Sequence, residues 1–151
     1  MSSGILQIAA AAESDLGKAR GKVVVDRRPD QRTDDDWVLN RAYLLSPEDR
    51  AVVEGFYHKG MTAVQLARLM GLHPGTVRRR TRDLILHLRS PLFSFVLAHR
   101  CQWSETRRSV AELHLLQRRT LRDTARQGRL TIHMVRREVE AIRARFEALQ
   151  P

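Results

Sequence analysis

The sequence predicts an all-α protein: two tandem helix-turn-helix units of about four helices each, preceded by a partly disordered N-terminal segment. Three observations predict this fold: apolar residues spaced three and four apart, helix-capping residues between those runs, and a self-similarity along the chain. The 151 residues, 42% of them hydrophobic, suffice for two small domains with modest cores. We expect an N-terminal tail over residues 1–33, a first unit over 34–91 and a second, divergent unit over 92–151.

The first two helices of the first unit are predicted from their starts. The acidic run 34–36 precedes an apolar stretch, and acidic residues favour a helix N-terminus. The second helix begins at Ser46, a good N-cap, with Pro47 at the first helical position, and it ends before Gly60.

The third and fourth helices carry the helix-turn-helix pattern. Thr62, with glutamine three residues later, forms a capping box for a short helix that closes at Gly71. The fourth helix follows His73 as cap, has Pro74 at its first position and runs to Arg89. The second helix has Val52, Val53, Phe56 and Tyr57 on one face, the third contains Val64, Leu66, Ala67 and Leu69, and the fourth has Val77, Thr81, Leu84 and Leu88 spaced for burial.

An internal repeat supports the tandem arrangement. At an offset of 58 residues, 13 of the 55 pairs from Asp34 to Leu88 are identical, without a gap. The conserved pairs include Thr62 with Thr120 and the stretch 77–79 with 135–137. We therefore interpret the chain as two copies of one unit.

The second copy keeps the capping pattern with substitutions. Ser104, Thr120 and Thr131 are its predicted caps, and Thr124 stands where the first copy has Leu66. Gly128 lies one residue before the counterpart of Gly71, so we expect an altered turn. Its last helix is predicted to bury Met134 or Val135, Val139, Ile142 and Phe146 and to expose His133, Arg136, Arg137 and Glu140. Phe93, Phe95, Val96, Leu97 and Trp103 are expected to form core between the units, and Cys101 beside them to be a small core residue.

The net charge of +10 points to a polyanionic partner. Residues 1–45 hold seven basic and seven acidic side chains, whereas residues 46–151 hold 20 and 10, so the excess lies in the two units. Of the 27 basic residues 24 are arginines, whose planar group binds phosphate and guanine bidentately. A genome rich in G and C would explain part of the preference for arginine over lysine, but not the location of the excess.

The second helix of a helix-turn-helix lies in the DNA major groove, which defines the candidate site. If Val77 faces the core, a rotation of about 100° per residue points Arg79 and Arg82 outward, while Arg80 lies nearer the core and suits a phosphate. The predicted DNA-binding residues are Thr62, His73, Gly75, Thr76, Arg78, Arg79, Arg80, Arg82, Arg122, Thr131, His133, Arg136 and Arg137. Two alternatives stay open: a merely solvated charged face, and a second unit kept for packing or dimer contact.

The stretch from Leu45 to Val53, then Thr62 to Leu72, Gly75 to Arg78 and Leu88 to Pro91 resembles the C-terminal promoter-reading domain of sigma-70 family RNA polymerase sigma factors. LuxR-type regulators and phage antitermination factors share part of the pattern. The resemblance implies a helical domain that binds DNA around the −35 promoter element and touches the polymerase flap, with Arg78 and Arg79 at DNA-facing positions. Only residues 1–33 precede the first unit, so we expect no upstream domain of the kind that binds the −10 element.

Catalytic and metal-binding motifs are absent from the sequence, the six histidines are scattered singly, and no run is apolar enough to span a membrane. We therefore expect no enzyme, cofactor, metal or small-molecule substrate, and a cytoplasmic, nucleoid-associated protein. The favoured function is a sequence-specific regulator of transcription that binds double-stranded DNA. The alternative is an adaptor for the RNA polymerase core or a sigma factor, such as a phage or mobile-element antitermination factor. RNA binding is disfavoured by the 5% aromatic content.

Overall fold

The all-α prediction is confirmed by a computed structural model, which describes residues 29–151 and the side chains from residue 35 onward. Within that part of the chain there is no strand. The helices are α1 Pro29–Ala42, α2 Pro47–Tyr57, α3 Ala63–Met70, α4 Pro74–Arg89, α5 Pro91–His99, α6 Glu105–Val110, α7 Leu121–Gly128 and α8 Ile132–Ala148. A 3-10 turn, Arg100–Gln102, follows α5, and α6 continues as a π-helical segment, Ala111–Leu116. Residues 1–28, which make up most of the predicted tail, lie outside the described part of the chain.

The described chain divides into two compact units, one ending at Leu86 and one beginning at His87. The first unit contains α1 to α3 and most of α4. The second contains α5 to α8 together with the last residues of α4.

Helix α1 begins earlier than the acidic run suggested. It starts at Pro29, so Asp34–Asp36 lie inside the helix and not at its N-terminus, and that part of the prediction is wrong. Proline is favoured at a first helical position because its missing amide hydrogen would have no partner there. Further along α1, the guanidinium carbon of Arg41 lies 4.3 Å from the centre of the Trp37 ring, a cation–π contact.

The core of the first unit consists of most of the apolar positions named from the sequence, but Val64 is 47% exposed and lies outside it. Val52 and Val53 on α2, and Val77 and Leu84 on α4, are fully buried, and Leu66 on α3 is almost so. Val77 and Leu66 belong to one cluster that also contains Met61, Ala63 and Ala67, with Phe56 and Leu69 packed against it. The spacing of Val77 and Leu84 along α4 therefore determines which face of that helix is exposed to solvent.

Glycine at position 55 allows α2 and α3 to pack closely. A Cβ atom at Gly55 would lie 2.6 Å from Cδ2 of Leu66, well inside van der Waals contact. At the equivalent positions the second unit has Leu113 and Thr124, so the larger side chain has moved from one helix to the other.

The core of the second unit is built around α5, α8 and the π-helical segment. Ser90 caps α5, its hydroxyl accepting from the Phe93 amide at 3.1 Å, and Phe93 is buried. Val96, Val110, Leu116, Val135 and Ile142 are also buried, as is Trp103. Cys101, by contrast, is exposed in the 3-10 turn, so the prediction of a buried cysteine is wrong.

Each unit contains one short ion pair between the first turn of its second helix and its last helix. In the first unit, Nε and Nη2 of Arg80 donate to Oδ1 of Asp49 at 2.9 and 2.7 Å. In the second, Nε of Arg107 donates to Oε2 of Glu138 at 2.7 Å. All four side chains are at most 34% exposed. At the offset of 58, Asp49 corresponds to Arg107 and Arg80 to Glu138, so the contact is retained with its charges reversed.

The ion pair is expected to anchor α4 to α2 by an interaction of about 2 kcal/mol. Removing one partner leaves the other charge half-buried and unpaired, so Asp49→Ala and Arg80→Ala should each destabilise the protein by about that amount. The double variant Asp49→Arg with Arg80→Glu recreates the polarity of the second unit and should recover most of the loss. The single variants Asp49→Arg and Arg80→Glu complete the cycle with the wild type and the double variant, and chemical denaturation of these four proteins measures the coupling. Losses that simply add in the double variant would contradict a direct pair.

The buried hydroxyl of Thr124 is expected to lower the stability of the second unit. The threonine side chain is fully buried, and its hydroxyl has no hydrogen-bond partner among the described residues. Thr124→Val removes the buried hydroxyl while keeping the shape, so it should stabilise the protein by about 1 kcal/mol, seen as a higher midpoint of thermal unfolding.

The matched control for Thr124 is the same substitution four residues earlier. The Thr120 hydroxyl accepts from the Asp123 amide at 3.1 Å and caps α7, so Thr120→Val should destabilise by about 1 kcal/mol. Equal shifts of the unfolding midpoint in the two variants would show that the buried hydroxyl carries no penalty.

Candidate nucleic-acid interface

The candidate interface is organised by a left-handed turn between two helices in each unit. In the first unit, Gly71 ends α3 with φ 66° and ψ 32°, and the amide that follows it donates to the Ala67 carbonyl at 2.9 Å. Helix α4 then begins after His73, whose Nδ1 accepts from the Gly75 amide at 3.1 Å. The cap predicted for His73 is therefore present.

The same turn is found in the second unit with a different residue. Arg129 ends α7 with φ 53° and ψ 44°, and the next amide donates to the Ala125 carbonyl at 2.8 Å. The altered turn expected from the position of Gly128 is thus not observed, because an arginine adopts the left-handed conformation that Gly71 has in the first unit. Thr131 then caps α8, its hydroxyl accepting from the Met134 amide at 3.1 Å.

The solvent face of α4 carries three arginines. Arg78, Arg79 and Arg82 are exposed, on the side of the helix away from the buried Val77 and Leu84. None of the three forms an ion pair with a described residue. Their guanidinium groups are therefore available to phosphate oxygens and to the guanine edge, the two nucleic-acid groups that match this planar donor.

Helix α8 presents the equivalent face. His133, Arg136 and Arg137 are exposed, as is Glu140, while Val135 and Ile142 are buried, in agreement with the orientation expected from the sequence. Arg137 makes a single long contact, 3.8 Å from Nη2 to Oε1 of Glu138, and its side chain remains 66% exposed. The adjacent arginines 136 and 137 thus occupy the positions that 78 and 79 occupy on α4.

Arg80 joins α4 to α2 through an ion pair with Asp49, a role that was not predicted from the sequence. We expected it to contact a phosphate, but two of its N–H groups bind the carboxylate of Asp49. The signal was present in the repeat, since positions 49 and 80 carry opposite charges and positions 107 and 138 carry the reversed pair.

The other predicted residues lie in the first turn of α4 or on the helix that precedes the left-handed turn in each unit. The hydroxyl of Thr62 accepts from the Gln65 amide at 3.2 Å, and Gln65 Oε1 accepts in return from the Thr62 amide at 2.9 Å. Thr62 and Gln65 therefore form the predicted capping box. Gly75 and Thr76 are half-buried in the first turn of α4, and Arg122 is exposed near the start of α7.

The described part of the chain holds no group of three or more His, Cys, Asp or Glu side chains that could bind a metal ion. Between residues 29 and 151, no helix is both long enough and apolar enough to cross a membrane.

The chain matches no protein-family model, no curated protein and no solved structure.

Proposed function

We propose that this protein is a sequence-specific regulator of transcription that binds double-stranded DNA through α4 and α8. One observation carries the proposal: adjacent exposed arginines, 78 and 79 on α4 and 136 and 137 on α8, occupy equivalent positions on the helix that follows the left-handed turn in each unit. A helix in that position fits the major groove, where an arginine can bind guanine bidentately.

The geometry of α4 suggests that some of its arginines contact bases and others contact phosphates. Successive residues are about 100° apart around a helix, so Arg78 and Arg79 cannot both point at the floor of the groove. Arg79 and Arg82 lie furthest from the buried stripe, which favours base contacts, and Arg78 lies on the flank, which favours a phosphate. Backbone contacts supply most of the affinity and base contacts the specificity.

The promoter-reading domain of sigma factors is the proposed functional analogue. Its resemblance to residues 34–91 rests on the same capping and turn residues that form α2, α3 and α4. By that analogy, the target would be a promoter-proximal element, and the protein would act on transcription initiation.

A polymerase- or sigma-binding adaptor is the second candidate, and an apolar groove on the first unit supports it. The groove measures about 370 Å³. Its apolar lining is Phe56, Tyr57, Ile85 and Leu86, and Thr81 and two of the DNA-facing arginines, Arg78 and Arg82, complete it. Leu86 is 63% exposed, and an exposed large apolar side chain at a groove is typical of a protein contact.

The DNA proposal is tested by removing one base-facing arginine at a time. Starting from duplexes selected from a random pool by the full chain, Arg79→Ala should lose about tenfold or more in affinity for the selected site and much less for a random duplex. Arg137→Ala should do the same if α8 reads bases. Fluorescence anisotropy at several salt concentrations measures both losses.

The matched control is Arg145→Ala, which removes the same charge from an exposed position of α8 that lies opposite Arg136 and more than two turns beyond Arg137. It should change affinity for both duplexes by less than about threefold. Equal losses for all three variants on selected and random DNA would show a non-specific charge effect and contradict sequence reading.

The adaptor candidate makes a different prediction. A complex held through the apolar groove should survive high salt, whereas contacts to DNA phosphates weaken by about 10³ or more between 50 and 200 mM salt. Leu86→Ala, which adds no charge beside Arg78 and Arg82, should weaken salt-resistant co-purification with core polymerase and leave DNA binding unchanged. Failure of the wild-type chain to retain core polymerase in high salt would rule this candidate out.

A further inference from the structure

A second basic site lies in the second unit, in a cavity of about 310 Å³. Three arginines, 118, 119 and 143, and two histidines, 87 and 114, line it. Apart from one hydroxyl, the rest of the lining is apolar and includes Leu92 and Leu115. None of these residues is among those assigned above to DNA, and Arg143 lies on the same flank of α8 as Arg136, about two turns further along the helix.

The charge in this cavity is not neutralised by the described part of the protein. No carboxylate lines it, and none of its three arginines forms an ion pair with a described residue. Another cavity of the second unit, of about 500 Å³, contrasts with it, because that one contains Glu105 and Glu112 beside a single arginine. The positive charge is thus not distributed evenly between these two cavities of the unit.

The backbone at Arg118 shows that the arginine is held there against a local preference. Its φ is 59°, in the left-handed region, and the equivalent residue of the first unit is Gly60 with φ 64°. A side chain in this conformation costs about 1 kcal/mol relative to glycine. The second unit therefore places a guanidinium group in the cavity at a position where glycine would be more stable.

Hydrogen bonds hold the rim of the cavity in place. A ring nitrogen of His114, Nδ1, lies 2.7 Å from the Arg119 carbonyl, and the Arg119 amide donates to the Leu113 carbonyl at 3.0 Å. On the other side, Nε2 of His87 lies 2.9 Å from the Leu116 carbonyl. The backbone that carries two of the arginines is thus fixed before any ligand arrives, which reduces the entropy lost on binding.

We propose that this cavity binds a diphosphate group, of the kind carried by nucleoside diphosphates and triphosphates. Three guanidinium groups match the charge of a diphosphate better than the single charge of a DNA phosphodiester, and their donors suit its several oxygens. The volume lies at the lower end of small-ligand sites and can hold the diphosphate itself, with the remainder of a nucleotide outside. The site uses none of the residues assigned above to the DNA interface.

The test uses the full chain and isothermal titration with inorganic pyrophosphate, ADP and GDP, with sulfate as a control for simple anion binding. Pyrophosphate should bind, and Arg118→Gly should weaken it about tenfold or more while raising the midpoint of thermal unfolding, because the strain at position 118 is relieved. Arg143→Ala should weaken binding similarly. Nucleotide binding at equal affinity would show that only the diphosphate is recognised; tighter binding of one nucleotide would add a base contact to the same site.

Two controls separate this site from the DNA interface. Arg79→Ala should leave the affinity for pyrophosphate unchanged, and Arg145→Ala, which removes an arginine of α8 outside the cavity, should also leave it unchanged. Equal losses in Arg118→Gly and Arg145→Ala, or sulfate bound as tightly as pyrophosphate, would overturn the proposal. So would loss of selected-duplex binding in Arg118→Gly by the same factor as pyrophosphate binding, since the cavity would then be part of the DNA interface.

Discussion

The left-handed residue at the end of the third helix of each unit is the constraint on which the candidate interface depends. At Gly71 and at Arg129 the chain leaves one helix and reverses within a few residues into the next. The amide after each of them returns to the last turn of the preceding helix, so the polar groups at the helix end are satisfied. The direction of the last helix, and hence the side on which its arginines emerge, follows from that turn and from the buried valine at 77 or 135.

Much of this could be predicted from sequence where the signal is local. The starts of α2 and α3 follow from Ser46 and Thr62, whose hydroxyls cap the helices as expected, and the exposed face of α4 follows from the spacing of Val77 and Leu84. Local signals failed where a residue adopts a conformation that its type rarely takes. Arg129 in the left-handed region is such a case, since a search for turn glycines finds Gly128 instead.

Interactions between residues far apart in the sequence were harder to predict. The contact between Arg80 and Asp49 joins residues 31 apart, and nothing in the helical pattern around Arg80 distinguishes it from its neighbours 78 and 79. Only the comparison of the two copies shows it, because both members of the pair change sign together. The exposure of Cys101 likewise depends on a 3-10 turn that apolar neighbours do not predict.

The two copies have diverged by exchanging features between facing positions. Glycine at 55 opposite Leu66 becomes leucine at 113 and threonine at 124, which moves the bulk from one helix to the other and leaves a buried hydroxyl. Arginine replaces glycine at both left-handed positions, 118 and 129, so the second unit carries more charge at its turns in return for backbone strain. The proposed diphosphate site arises from this divergence and has no counterpart at Gly60.

The reversed polarity of the two ion pairs also affects how a chain with two similar units reaches its folded state. Tandem copies of one fold are prone to misassembly, in which an element of one copy docks onto the other. If α4 docked in the place of α8, Arg80 would meet Arg107; if α8 docked in the place of α4, Glu138 would meet Asp49. Both exchanges bring like charges together in a partly buried site, which is strongly unfavourable. The charge on each last helix therefore favours docking in its own unit and disfavours docking in the other.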